Sequence, residues 1–308
     1  MAASTTVEVA VGNRKLKLSN LDKVLYPETG FRKAQVIDYY TRIAPALLPH
    51  LKDRPITLKR YPNGVDQMFF YEKNCPKHRP DWFKTTQVWS GGNNRFMDFC
   101  TANDLPSLVF LANLATIELH TSMSQGGKAM DNPTTMVFDF DPGPPATIVE
   151  CCQVALWVRE LLRSHGLECF AKTSGSKGLQ LYVPLNTSGV GYEDTKRLSR
   201  QVADIMTRDH PDNVVARMEK AVRPNKVFID WSQNDRMKTT INVYSLRARA
   251  HPTVSTPVTW DEVESCLNSG DPADLVFEAE AVLDRVDKQG DLFASVTKLK
   301  QKLPKDLD

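Results

Sequence analysis

The stretch TTMVFDFDPGPPA, at positions 134–146, limits what the chain can fold into more than any other. Val137, Phe138 and Phe140 suit a buried strand, yet Asp139 and Asp141 interrupt the run, and an unpaired carboxylate is strongly disfavoured at a buried position. Side chains alternate faces along a strand, so both acids point one way and both phenylalanines the other. What is required is a sheet with one face packed on an apolar layer and one face where something offsets the charge.

The flanking sequence supplies the rest of that sheet. A helix, TIVECCQVALWVRELLRSHG, closes at Gly166 and is followed by the strand LECFAKTS, a GSKG turn and the strand LQLYVPL. The helix YEDTKRLSRQVADIMTRDH and the strand KVFIDWS come next. The order β-α-β-β-α-β is the ferredoxin-like (RRM-like) arrangement, in which the first and last strands lie side by side. Asp230 is therefore expected beside Asp139 and Asp141. A further strand, TTINVYSLRAR, and amphipathic helices from Trp260 to about Leu303 follow.

Upstream, the chain reads as a short strand NRKLKLS, a turn YPETG, a strongly periodic helix RKAQVIDYYTRIAPALLPHLKD, and strands ITLKRYPNG, QMFFYEK and RFMDFC. The run LPSLVFLANLATIELH is expected to be a helix that carries His120 near its end. The fold class is α+β, with the ferredoxin-like module at about 131–255 packed on an N-terminal α/β module at about 1–130. C-terminal helices at about 256–303 complete a domain of about 1–300, and 304–308 form a tail.

With 308 residues, 41% of them hydrophobic, the chain is long enough for one large or two modest cores. A net charge of +2 neither demands nor excludes a nucleic-acid partner, so local clusters must decide. The six cysteines form no CxxC pair, and most lie in apolar surroundings. Reduced thiols in a cytoplasmic protein are expected. Cys75 and His78 in CPKH would make half of a metal site, but with no second half the segment reads as a loop. The opening segment lacks the pattern of an export signal and no apolar run is long enough to span a bilayer, so neither export nor a membrane partner is expected.

Three carboxylates on one face repel, by about 4 kcal/mol per close pair at intermediate dielectric. Oxygen-only donors suit a hard cation, Mg²⁺ or Mn²⁺, and two such ions a few ångströms apart clamp the attacking and leaving oxygens of a phosphoryl transfer. A lone DxD would as readily end a strand and pair with arginines; the third Asp favours the metal reading. In KTSGSKGLQLYVPL, glycines, serines and Lys177 at a strand-to-strand turn offer N–H groups, hydroxyls and an ammonium to a polyphosphate, although a plain hairpin turn has the same composition. GxxxxGK[ST] spacing is absent, which excludes a Walker A loop. Lys220, Arg223, Lys226, Arg247, Arg249 and His251 form a basic group whose usual fate is solvated surface. Arg223 and Arg247 flank the Asp230 strand in sequence and are candidates for a triphosphate; His120 by itself reads more readily as a satisfied core residue.

Taken together, VFDFDPG, TSGSKGLQLYVPL and KVFIDWSQN resemble the three motifs of the archaeo-eukaryotic primase superfamily, and most of all the polymerase domain of bacterial ligase D. LDKVLYPETG, KRYPNGVDQ, ATIELH, TTINVYSLRAR and HPTVSTP extend the resemblance over nearly the whole chain. It implies the primase fold and a template-directed nucleotidyltransferase that prefers ribonucleotides, works with manganese or magnesium, and fills or extends DNA ends and gaps in non-homologous end joining. Asp139, Asp141 and Asp230 match the metal ligands and catalytic carboxylates; Ser174, Ser176 and Lys177 match the nucleotide-binding loop. His120, Arg223 and Arg247 match residues near the sugar or triphosphate. Phe70 and Tyr71 match an aromatic pair near template and incoming base, where the family commonly has Phe at the second position. Lys23 and Lys33 match lysines that hold a DNA 5′-phosphate. Gln180 departs from the pattern, standing where the family has His, and it can donate a hydrogen bond but carry no positive charge.

Implied partners are gapped or broken DNA with a 5′-phosphate, NTP or dNTP, Ku and a DNA ligase. Cytoplasmic, nucleoid-associated placement follows from that role. No adenylating-lysine motif is visible, so a stand-alone relative or an excised domain is expected. The alternative is a non-catalytic DNA-end-binding module that keeps the 5′-phosphate pocket and has lost turnover.

Overall fold

Period-two alternation in the acidic stretch builds the centre of a six-stranded sheet. In the computed structural model, which describes residues 6–307, the sheet runs Val214–Val215, Val227–Asp230, Thr135–Pro142, Leu179–Pro184, Phe170–Thr173, Pro257–Val258. Residues 1–5 of the opening segment and Asp308 of the tail lie outside the described residues. Neighbours in the sheet are antiparallel except Val214–Val215 against Val227–Asp230. The Asp139 strand lies between the Gln180 strand and the Asp230 strand, as the ferredoxin-like order requires.

Helices Ile148–Ser164 and Tyr192–Asp209 contribute apolar residues to the core with this sheet. Phe138, Phe140, Leu181 and Ile229 enter that core with Cys151, Val158, Leu198 and Val202. The first of these helices starts on a capping box, Thr147 with Glu150. Gly166 follows its end at φ +73°, in the left-handed region glycine favours. This unit comprises residues 123–240, 255–277 and 292–308.

The second unit comprises residues 1–122, 241–254 and 278–291. Both units are thus interleaved along the chain. Here the strands Thr116–Thr121, Ile56–Arg60, Arg95–Cys100 and Thr85–Ser90 are neighbours in that order, and Phe70–Glu72 pairs with Ile56–Arg60. Helix Lys33–Leu51 buries Val36, Tyr39, Tyr40, Ile43 and Leu47 at helical spacing. Its tyrosines pin distant chain: Tyr39 Oη donates to Tyr244 O at 2.8 Å, Tyr40 Oη donates to Ile117 O at 2.6 Å, and Leu246 N donates to Tyr40 Oη at 3.2 Å.

Three expectations need correction. The helix expected over LPSLVFLANLATIELH spans only Leu105–Asn113, and His120 lies on the strand Thr116–Thr121. Ala115, at φ +57°, turns the chain out of the helix, and β-branched Thr116 and Ile117 then suit a strand. TTINVYSLRAR is not a continuous strand: its only strand residues are Thr240–Ile241, and Tyr244 at φ +63° breaks extension. Cys75 and Cys100, expected as reduced thiols, are joined as a disulfide, whereas Cys151, Cys152, Cys169 and Cys266 are free and buried. Cys75 N also donates to Asp98 O at 2.6 Å, which holds the loop that carries it against the Arg95–Cys100 strand. Among the described residues no helix is long and apolar enough to cross a membrane.

Candidate functional site

The antiparallel register places Asp139 directly across from Asp230, while Asp141, opposite Phe228, shares the face of Asp139 one pleat further on. The charges act on one another. Burial first, then the neighbouring Asp141 and Asp230, push the Asp139 carboxyl up to about 7, against the pull of its Gln180 bond and the Lys172 charge. Among the described residues no three His, Cys, Asp or Glu side chains close tightly enough around one point to form a metal cage. The oxygen-only donor set and the mutual repulsion at Asp139 nonetheless fit a hard divalent cation.

Gln180 is buried and spans the gap between two charges. Its Nε2 donates to Asp139 Oδ1 at 2.9 Å and to Thr240 Oγ1 at 3.1 Å, and its Oε1 accepts from Lys172 Nζ at 2.6 Å. Lys172 is fully buried and donates also to Ser255 Oγ at 2.7 Å. An ammonium only donates, so it fixes which end of the Gln180 amide faces it and hence which end meets Asp139. On the neighbouring strand, Asp230 Oδ1 accepts from Ser232 Oγ at 2.6 Å, with Lys238 Nζ 3.8 Å from Oδ2.

The loop of Ser174, Ser176 and Lys177 closes on itself. Ser174 Oγ accepts from Ser176 N at 3.2 Å and from Gly178 N at 3.1 Å, and Ser174 N donates to Gly178 O at 2.9 Å. Those N–H groups, expected to be free for a phosphate, are occupied by the turn. Gly178 is required because a Cβ there would lie 2.1 Å from Phe140 O. Gly143 is required too, since its Cβ would meet Arg223 O at 2.0 Å. Arg223 itself lies over the Phe228 ring at 3.6 Å and donates to Met218 O at 2.6 Å.

In the other unit the central group is Glu118, which the sequence reading did not single out. Its carboxylate is almost fully buried, accepts from Ala248 N at 3.1 Å, and lies 2.8 Å from His120 Nε2, 3.3 Å from Arg247 Nε and 3.6 Å from Lys59 Nζ. Burial alone would raise its pKa, but the His120 bond and the Arg247 and Lys59 charges hold it well below the usual carboxylate range. Burial lowers His120 despite Glu118. The edge of the Tyr71 ring meets His120 with centroids 6.1 Å apart. Phe70 and Tyr71 remain half-exposed on a strand where Tyr71 pairs with Lys59.

Glu118 and His120 stand two residues apart on one strand, the same spacing that drew attention to Asp139 and Asp141. Read as a helix, the segment puts those positions on different faces, and the pair is hidden.

Lys23 and Lys33 lie on either side of a short antiparallel pairing, Val24–Tyr26 with Phe31–Arg32, and Lys33 N donates to Lys23 O at 2.8 Å. Lys33 is buried and donates to Ser19 O at 2.6 Å, while Lys23 Nζ donates to Asn63 Oδ1 at 2.8 Å. Burial first, then the charges of Lys23 and Arg60, lower the Lys33 ammonium to about 8. A cation disfavoured by its surroundings is one that an anion would stabilise.

Comparison with known proteins adds four findings. A family model described as LigD, primase-polymerase domain, matches residues 32–293. The multifunctional non-homologous end joining protein LigD of Mycolicibacterium smegmatis is 41% identical over 281 residues, covering 91% of this chain and 36% of that protein. The bifunctional LigD of Bacillus subtilis is 32% identical over 276 residues, covering 90% of this chain and 43% of that protein. This chain thus spans less than half the length of either relative. The solved polymerase domain of Mycobacterium tuberculosis ligase D in complex with DNA superposes with a TM-score of 0.85 at 38% identity, over 93% of this chain and 99% of that one.

Proposed function

The chain belongs to the LigD primase-polymerase family, and from that premise we propose that it is a metal-dependent, template-directed nucleotidyltransferase that fills or extends DNA ends and gaps in non-homologous end joining, with a preference for ribonucleotides. The observation that carries this reading is the cross-strand pairing of Asp139 with Asp230, with Asp141 on the same face as Asp139. Like charges gathered on one partly buried face are retained at a cost that structural packing alone would not favour.

Asp139, Asp141 and Asp230 would hold Mn²⁺ or Mg²⁺, which supplies Lewis-acid stabilisation of the charge that develops as a nucleotide is added. The chain's own part is to fix these ligands. Gln180 holds Asp139 by Oδ1, and Ser232 holds Asp230 by Oδ1. In the same unit, Ser174, Ser176, Lys177 and Arg223 are assigned to the triphosphate, together with Gln180 acting through Asp139. In the other unit, His120 and Arg247 are assigned to sugar and triphosphate, Phe70 and Tyr71 to base stacking, and Lys23 with Lys33 to the DNA 5′-phosphate. DNA and nucleoside triphosphates are the proposed partners, a Ku-type end-binding protein and a DNA ligase the proposed co-workers, and the bacterial cytoplasm the proposed location.

A second reading, an end-binding module without turnover, is favoured by Lys33 alone, whose burial with Lys23 nearby suits an anion. Primer extension on a 5′-phosphorylated gap, with Mn²⁺ or Mg²⁺ and with rNTP or dNTP, separates the two. Metal-dependent addition, faster with rNTP and lost in Asp230→Asn, is expected. Binding without addition would establish the second reading.

A further inference from the structure

We propose that Glu118 is a positioning residue which locks His120 in the tautomer whose Nδ1 is a bare acceptor, so that His120 takes a hydrogen bond from a sugar hydroxyl of the incoming nucleotide. This inference rests on the polymerase reading and resolves what His120 is for: a hydroxyl and not a phosphate.

The geometry fixes the direction of the bond. Glu118 Oε2 lies 2.8 Å from His120 Nε2. Arg247 Nε at 3.3 Å and Lys59 Nζ at 3.6 Å surround the same carboxylate, and Ala248 N donates to Oε1. An anion ringed by cations stays ionised, and an ionised carboxylate only accepts. Nε2 must therefore carry the hydrogen. Two of the groups facing His120, Arg247 and Lys59, are cations that oppose a second proton on the ring, and burial opposes it further. A neutral imidazole with its proton on Nε2 has a lone pair on Nδ1.

That lone pair decides the ligand class. Opposite a phosphate oxygen it would face another lone pair; opposite a hydroxyl it accepts. Of the groups on a nucleoside triphosphate that donate, the sugar hydroxyls are common to every base. His120 keeps 16% of its side-chain surface exposed, whereas Glu118 keeps 3%. His120 is also the one residue of the strand Thr116–Thr121 that is not buried. Glu118 is thus set behind the ring and His120 is the part that meets a ligand.

The first test uses the wild-type protein, so it does not depend on a variant folding. Histidine labelled with ¹³C and ¹⁵N, with the His120 signals identified by their loss in His120→Asn, is expected to show a proton on Nε2 and none on Nδ1 between pH 6 and 8. A proton on Nδ1, or a doubly protonated ring at pH 7, overturns the proposal. In Glu118→Gln the amide can donate as well as accept, so the ring is expected to sample both tautomers. The KM for rNTP then rises about tenfold, while that of one analogue, 2′-deoxy- or 3′-deoxy-NTP, stays within about twofold because it lacks the hydroxyl that His120 meets, and the kcat values change by no more than about twofold, the pattern of a lost hydroxyl contact. Equal loss for rNTP and both deoxy analogues, or no change for any of them, overturns the assignment to a sugar hydroxyl. If the wild type adds no nucleotide at all, the polymerase reading fails, while the tautomer measurement still stands by itself.

Discussion

Asp139, half-buried, and Glu118, buried, are both carboxylates on strands, each two residues from another polar side chain, yet their neighbours shift their pKa values in opposite directions. Asp139 has Asp141 and Asp230 for company and is pushed up to about 7. Glu118 has His120, Arg247 and Lys59 and is held well below the usual range. Desolvation penalises both alike, so the neighbours decide the sign. Around Glu118 the charges are already balanced within the chain. Around Asp139 they are not, and a cation from outside is what would balance them.

The largest effect expected from this contrast is on chemistry. Asp139→Asn, Asp141→Asn and Asp230→Asn should each lower nucleotide addition by a factor of about 10³ or more, the loss of several kcal/mol of metal-ion stabilisation. DNA binding by filter or anisotropy assay should change little. Near-wild-type extension by any of the three would remove the distinction between the two carboxylates.

Next in size is stability. Glu118→Ala leaves cations buried without their counter-charge and should cost about 3–5 kcal/mol in denaturant melts. Asp139→Asn should do the reverse with the metal chelated, and pH separates the cases. A carboxyl whose folded pKa is raised destabilises the fold once the pH exceeds its unfolded value near 4, and the penalty grows until the pH passes about 7. The Tm gained by Asp139→Asn should therefore be larger at pH 8 than at pH 5, and Mn²⁺ should erase it. Glu118, with its pKa depressed, contributes stability that is present above the ordinary glutamate value and lost as pH falls through the depressed one. An equal Tm gain for Asp139→Asn at both pH values would show that the carboxylate is not strained.

Gln180→Leu sharpens the contrast from inside the acidic site. It removes the amide between Lys172 and Asp139 and should cost about 1–3 kcal/mol, the penalty for stranding buried polar groups. Gln180→His, which can accept from Lys172 and donate to Asp139, should recover most of that stability. If His and Leu destabilise equally, the bridge is not what holds Asp139.

The smallest expected effect is at the lysines. Lys23→Ala/Lys33→Ala should erase a preference for 5′-phosphorylated gaps worth about 1–3 kcal/mol while leaving extension of open primers intact. Because the Lys33 ammonium is lowered to about 8, it sheds its proton as pH rises through that value, and the wild-type preference should weaken from pH 7 to pH 9. Paired titrations with and without the phosphate measure both.

How legible each region was in the sequence follows from the same contrast. Asp139 and Asp141 announced themselves because acids in a run of Val and Phe violate the usual composition of a strand, and the helix and strand order around them placed Asp230. Glu118 and His120 carried the same period-two signal but followed an apolar helix with no glycine or proline between. The turn rests on Ala115 at φ +57°, a conformation that alanine does not advertise. Residues 242–246 were also opaque, because tertiary bonds from Tyr39 and Tyr40 hold them rather than any local propensity. The Cys75–Cys100 bridge was missed because partners 25 residues apart leave no spacing signature.

The interleaving of the two units also sets a timetable for synthesis. When the ribosome has delivered residue 240, the unit that opens the chain still lacks 241–254 and 278–291. Tyr39 then has no Tyr244 carbonyl to bind, and His50 has no Asp291, its partner at 2.9 Å. Chains generally fold domain by domain as they emerge, but here the earliest-made segment must wait for some of the latest. A nascent chain arrested before residue 278 would hold an unfinished first half, exposed to proteases and chaperones for as long as the arrest lasts.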